Sequence, residues 1–293
     1  MPDAPIGTDT RSLEAGLDAL QTDAATEPGR GRRLAQAAVP PAIAVALLIL
    51  VWQVVVWSGV QPAYNLPGPL DVLASLRTLA QDGDLQRALR TSIERGVIGF
   101  AVAVLIGTPL GLVVARVRPV RLSVGPLITG LQVLPSVAWV PAAILWFGLT
   151  DATVYFVILM GAVPSIINGL VAGVDQVPPL YRRVGQVLGA GRIAMVRHVI
   201  LPAALPGYLA GLKQGWAFSW RSLMAAEIIA VGGDIGFGLG GLLNVGRDLV
   251  DTSIVISAIV LILVVGIAVE LLFFAPLERR ILRSRGLSAE TAR

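Results

Sequence analysis

Six long apolar runs, separated by short arginine-bearing segments, decide what this chain can fold into: Val39–Trp57, Val97–Ala115, Val124–Phe147, Ala152–Val174, Pro206–Val231 and Thr252–Phe274. Each is close to or above the ~20 residues a helix needs to cross a bilayer. The runs are continuous and do not alternate with a period of two, which favours helices over barrel strands. Charged residues make up 14% of the 293-residue chain and hydrophobic residues 55%, against about 25% charged in soluble domains. The expected fold class is all-α: a polytopic membrane protein with six transmembrane helices.

Several chemistries are excluded by what the chain lacks. There is no cysteine, and His198 is the single histidine. Disulfides, thiolate catalysis and Cys- or His-cluster metal sites are therefore out of reach, and no cofactor or metal is expected. The net charge of +4 would suit nucleic acid, but the arginines sit in short segments between apolar runs, where membrane topology explains them. Residues 1–38 are polar, mixed in charge and without apolar period, as expected of a disordered cytoplasmic tail, and their late apolar onset is unlike a signal peptide. Residues 39–285 form the membrane domain and 286–293 a short C-terminal tail. With the N-terminus inside, sixteen arginines fall in inner segments and five in outer ones, which puts both termini in the cytoplasm.

Two outer segments carry local signals. Asn65-Leu66-Pro67-Gly68-Pro69 is a turn. Leu70, Val72, Leu73, Leu76 and Leu79 follow at near-helical spacing, as an interfacial amphipathic helix or as a plain connector. The run Gly236–Gly241 lacks the Lys-Ser/Thr of a phosphate-binding loop and reads as a re-entrant or flexible outer loop.

The segment 175–202, between the fourth and fifth runs, is polar and long. Pro178 and Pro179 suit a first helical turn. Leu180, Val184, Val187 and Leu188 give one apolar face, and Ile193, Val196 and Ile200 a second. Gly189 and Gly191 bracket a turn open to positive φ. The residues alone leave two readings: a two-helix plug for a groove on a soluble partner, or a hairpin that only joins two spans.

The spacing of this segment resembles the cytoplasmic coupling loop of binding-protein-dependent ABC importer permeases, in which Glu-Ala-Ala, three residues, Gly and nine further residues precede Ile-x-Leu-Pro. Here Gly189 holds the Gly position, Val199-Ile200-Leu201-Pro202 closes the motif, and Arg183-Val184-Gly185 replaces Glu-Ala-Ala. Asn65–Pro69, Leu131–Pro135, Ala138–Pro141, Leu145–Gly148, Pro164 with Asn168 and Gly173, and Ser219-Trp220 with Ala226-Glu227 are similar to the sulfonate, nitrate and taurine subgroup. The similarity extends over roughly Leu66 to Leu277. It implies a type I importer permease in the bacterial inner membrane, moving a small oxyanion such as an aliphatic sulfonate, taurine or nitrate. It also implies three partners: a cytoplasmic ABC ATPase, an extracytoplasmic substrate-binding protein and a second permease copy. ATP hydrolysis then falls to the ATPase, because this chain has no Walker motif. Contact with the ATPase is expected from Arg182, Arg183, Gly189, Ala190, Arg192, Leu201 and Pro202.

Charged groups inside spans are costly and suggest function. In the fifth run Lys213, Trp216, Trp220, Met224 and Glu227 share one stripe at ~100° per residue, with Arg221 at its edge. This stripe reads as a substrate-pathway lining, with Arg221, Lys213, Trp220 and Glu227 as its working groups and Gln132 and Asn168 as further candidates. The competing reading is internal pairing, with Glu227 as the counter-charge of Arg221. Other classes fit less well. A secondary transporter calls for inverted repeats and paired broken helices, which the sequence does not display, and a channel for a small anion shares only the cation stripe. An intramembrane enzyme needs a convergent nucleophile and base.

Overall fold

The computed structural model describes residues 30–62 and 64–283, and all described regular structure is helical. Two units are distinguished, residues 1–60 and 61–293. The first contributes one helix, α1 (Arg30–Trp57). Its apolar part, Val39–Trp57, is long enough to span a bilayer. The helix includes residues 30–38 of the segment expected as a tail. Ala-rich sequence favours helix here. The rest of that tail, 1–29, and the end of the chain, 284–293, lie outside the described residues.

The second unit begins with α2 (Pro69–Gln81). Val72 and Leu79 are buried while Leu70 and Leu73 face outward. Asp71 accepts a hydrogen bond from the Gly68 N–H at 2.8 Å, which satisfies a donor that the helix leaves open. Then come α3 (Asp84–Arg116), α4 (Arg118–Val133), a 3₁₀ turn at Ser136–Trp139 and α5 (Val140–Phe147). They are followed by α6 (Asp151–Asp175), α7 (Pro179–Val187), α8 (Arg192–Ile229) and α10 (Thr252–Arg283). A short helix, α9 (Leu239–Asp248), precedes α10.

The third apolar run is not one straight helix. Its halves, Arg118–Val133 and Ser136–Phe147, meet at 96°, which corrects the continuous span expected over Val124–Phe147. Pro135 supplies no N–H and forces its predecessor out of the helical region; Leu134 accordingly adopts φ −65°, ψ 124°. Among the described residues five helices are long and apolar enough to cross a bilayer, and the broken pair counted as one span makes six.

Lipid tails are as apolar as leucine, so the bundle is held by close packing rather than by escape from water. Close packing needs small residues where backbones meet. Gly161, Ser165, Gly169 and Gly173 recur every four residues on α6, and Gly207, Gly211 and Gly215 do so on α8. A Cβ at Gly169 would lie on the Cα of Gly211, and one at Gly173 against the Ala204 carbonyl oxygen. The main buried core includes Val154, Val157, Ile158, Leu223 and Phe274.

Candidate functional site

The segment 175–202 folds as the hairpin its pattern predicts. Helix α7 ends in a Schellman motif: Ala190 N–H donates to the Gly185 carbonyl at 2.9 Å and Gly189 N–H to that of Gln186 at 3.0 Å. This motif requires a left-handed residue just beyond the helix, and Gly189 supplies it with φ +75°. Gly191 is extended, with φ −65° and ψ 170°, so one of the two bracketing glycines takes positive φ. Gly185 is buried, and a Cβ there would press on Met195 and Val199. That contact explains why a small residue stands at the end of Arg183-Val184-Gly185.

The return strand of the hairpin is the start of α8, which opens with a π turn at Met195–Ile200. Pro202 lacks the N–H that would continue the ladder, and its ring displaces the carbonyl behind it, so the turn widens. The two expected apolar faces part company. Val196 and Ile200 are buried against Leu170, Val174, Val177 and Ala204, with Leu201 packed beside them. Leu180, Val184, Val187, Leu188 and Ile193 remain exposed, Val187 to 87% and Ile193 to 82%. Arg182, Arg183, Arg192, Arg197 and His198 are exposed alongside them, as is Pro202, and Ala190 is half-buried. The result is an apolar ridge fringed with guanidinium groups. Below it, Arg121 grips both carboxylate oxygens of Asp175 at 2.7 and 2.6 Å, which fixes α4 to the end of α6.

Most of the stripe on α8 is buried. Trp216, Trp220, Met224 and Glu227 are buried. The two indoles stack with centroids 6.1 Å apart, and Trp220 Nε1 donates to the Ile262 carbonyl. A face rich in aromatic and small side chains packs against a helix of matching small residues, and Gly96 of α3 meets both indoles. Nor is Glu227 the partner of Arg221. Its carboxylate accepts from Ser92 Oγ at 2.7 Å and from Gly240 N–H at 3.0 Å, and it pairs with Arg95 at 3.2 Å. Arg95 also reaches Asp151 and the Gly236 carbonyl. The glycine-rich run is thus neither a loose loop nor a phosphate cradle. It leads into α9, whose first N–H groups lean on Ser92 and Glu227, where a helix dipole favours a negative charge. Gly238 and Gly240 leave room that a Cβ would take from Glu227. Lys213 lies between Glu270 and Glu278 at 2.7 and 2.9 Å. Trp220, Glu227 and Lys213 thus make internal pairings, as in the competing reading, with Arg95 and not Arg221 opposite Glu227.

Arg221, at the edge of that stripe, is exposed, with its guanidinium 5.2 Å from the centre of the Phe218 ring. It borders a cavity of about 300 Å³ at the bend of the broken span, shared with Gln132, Leu134, Pro135, Ser136 and Phe218. Asn168 donates to Gln132 Oε1 at 2.5 Å, and Gln132 Nε2 donates to Ser165 Oγ at 3.3 Å. Ser222 binds Ser136 Oγ at 2.7 Å, so the bend is tied to α8 as well as α6. Sequence reasoning singled out Arg221, Gln132 and Asn168 but missed Ser136, which only the break exposes, and Arg95, which looked like one more loop arginine.

Residues 107–283, more than half of the chain, match the family described as binding-protein-dependent transport system inner membrane component. The chain belongs to that family. It is 31% identical over 242 residues to the taurine transport system permease protein TauC of Escherichia coli (strain K12), covering 81% of this chain and 86% of that one. It is 30% identical over 251 residues to the nitrate import permease protein NrtB of Synechocystis sp. (strain ATCC 27184 / PCC 6803 / Kazusa), covering 82% and 88%. The putative aliphatic sulfonates transport permease protein SsuC of Bacillus subtilis (strain 168) is 29% identical over 240 residues, covering 82% and 85%. These findings make the chain an ABC importer permease of the sulfonate, nitrate and taurine group, with a multi-pass location in the inner membrane. An ABC importer permease works with an ATPase subunit and a substrate-binding protein.

Proposed function

We propose that the permease passes a small oxyanion inward, an aliphatic sulfonate or a close relative such as taurine or nitrate, along the face of α8 that carries Arg221. One observation carries this reading. Arg95 is answered by Glu227 and Asp151, and Lys213 by Glu270 and Glu278, whereas Arg221 has no carboxylate partner among the described residues. An uncompensated cation at membrane depth is costly, and a passing anion relieves it. Gln132 and Ser136 supply neutral polar contacts beside it, and Asn168 holds Gln132 in place. The names of the relatives, which include taurine, nitrate, bicarbonate and aliphatic sulfonates, agree with an anionic cargo.

Two copies would face one another across this bend, closing the cavity with the exposed Val133, Leu134 and Val137. The arginine balance supports both termini, and the hairpin, in the cytoplasm. Residues 39–285 then act as the permease domain and 175–202 as its coupling segment. Arg182, Arg183, Gly189, Ala190, Arg192, Leu201 and Pro202 form or support the surface that meets the ATPase.

Uptake by vesicles containing the permease, its ATPase and a loaded binding protein tests the cargo site. Arg221→Leu is expected to lower uptake about tenfold or more, since a hydrogen bond to a charged group contributes about 1.5–3 kcal/mol. Arg221→Lys should retain part of it, and the amount of permease in the membrane should not change. Loss of uptake in strict proportion to loss of protein would assign Arg221 to packing instead.

A further inference from the structure

The cluster of Lys213, Glu270 and Glu278 is used neither by the cargo site nor by the hairpin. Lys213 Nζ lies 2.7 Å from Glu270 Oε1 and 2.9 Å from Glu278 Oε2, and all three side chains are partly buried. The two carboxylates are eight residues apart on one helix. In an unbroken α-helix eight residues turn through about 800°, leaving the two groups about 80° apart around the axis. The π turn at Glu270–Phe274 adds one residue to the coil. That extra residue takes back about 100°, so both carboxylates come to within about 20° of one face. Single π turns of this kind concentrate at functional positions, and this one is what allows a single ammonium group to hold both acids.

The position of the cluster gives it a role. Helix α8 runs without interruption from Arg192, in the hairpin, past Lys213 to Ile229. Helix α10 ends in the turns that follow Glu270, where Phe274 is buried and Leu277 and Ile281 pack on the main core. Further along the pair, Trp220 Nε1 donates a hydrogen bond to the Ile262 carbonyl.

We propose that Lys213, Glu270 and Glu278 are positioning residues that act as a coupling clamp. They join the inner half of α8 to the last turns of α10, so a displacement of the hairpin moves both helices as one body. The clamp stays closed through the transport cycle. This inference rests on reading the hairpin as the ATPase contact.

The test uses the assembled importer in vesicles and reads substrate molecules moved per ATP hydrolysed. Lys213→Met should lower that ratio about fivefold, within the range by which residues on a coupling route change it. Lys213→Arg, which keeps the charge and can reach both acids, should stay near the wild-type ratio. Because the chain has no cysteine, Lys213→Cys with Glu278→Cys can be bridged by a short thiol-reactive cross-linker. The unlinked double variant should be poorly coupled and the linked one restored. An unchanged ratio in Lys213→Met, or a linked protein that hydrolyses ATP but no longer transports, would overturn the clamp. If Lys213→Met does not accumulate, the linked and unlinked cysteine pair still decides the matter. A hairpin that fails to cross-link to the ATPase would instead sink the reading on which the clamp rests, so the two failures are distinguishable.

Discussion

Arg95→Met is expected to destabilise the permease more than any single change in the cargo cavity, by about 3–5 kcal/mol, the loss seen when one partner of a buried ion pair is removed. Glu227 would keep the Ser92 hydroxyl and the Gly240 N–H but would lose its only basic partner among the described residues. A carboxylate that is 3% exposed cannot recover that loss from water. Arg95 also fastens Asp151 at the start of α6 and the carbonyl of Gly236 ahead of α9. Four elements, α3, α6, α8 and α9, therefore loosen together. Combining Arg95→Met with Glu227→Gln should recover much of the loss, because the neutral amide keeps hydrogen-bonding capacity without a stranded charge. Thermal unfolding of the detergent-solubilised protein checks both variants. If the double variant were as unstable as the single one, packing of the arginine stem and not the pair would be the cause.

Gly189→Asp is expected to leave the permease folded and abolish most of its coupled transport. The cost within the chain is small. No atom lies within 4 Å of the position a Cβ would take, and a left-handed residue other than glycine costs roughly 1–2 kcal/mol, least for Asp and Asn. The cost to docking is larger. The new carboxylate would project from the tip of a ridge made by Val187, Leu188 and Ile193, and a charge stranded in an interface core costs about 2 kcal/mol or more. Uptake should fall more than about tenfold, while the amount of permease and its melting temperature change little. Uptake at the wild-type level with Asp in place would separate the hairpin from the drive to transport.

How far the sequence could be read depended on the range of the interactions involved. Continuous apolar runs are local, and they located every span, although the length test passed over the break at Leu134-Pro135. Proline there was visible, but the same sequence also contains Pro109, Pro126 and Pro164 inside helices that continue. The hairpin was legible because its turn chemistry is local: a glycine two residues past the end of α7 could be read as a left-handed stop. Periodicity showed that Trp216, Trp220, Met224 and Glu227 share a face. It could not show which neighbour meets that face, because the answer lies in Ser92, Arg95 and Gly96, more than a hundred residues earlier. Arg221, at the edge of that face, was identified for its charge, and its lack of a carboxylate partner among the described residues emerged only once Arg95 and Lys213 had claimed theirs. The π turn at Glu270–Phe274 holds no Gly or Pro that could signal it in the sequence.

The account turns on the contact between the hairpin ridge and the ATPase, and a single introduced thiol measures it directly. The cysteine-free chain allows Val187→Cys, at an exposed ridge position, to carry a short cross-linker in the actively transporting complex. The expected result is a covalent product with the ATPase subunit, lost when the partner is omitted and weakened in Gly189→Asp. A fully active complex in which Val187→Cys and Ile193→Cys both fail to reach the ATPase would contradict the account.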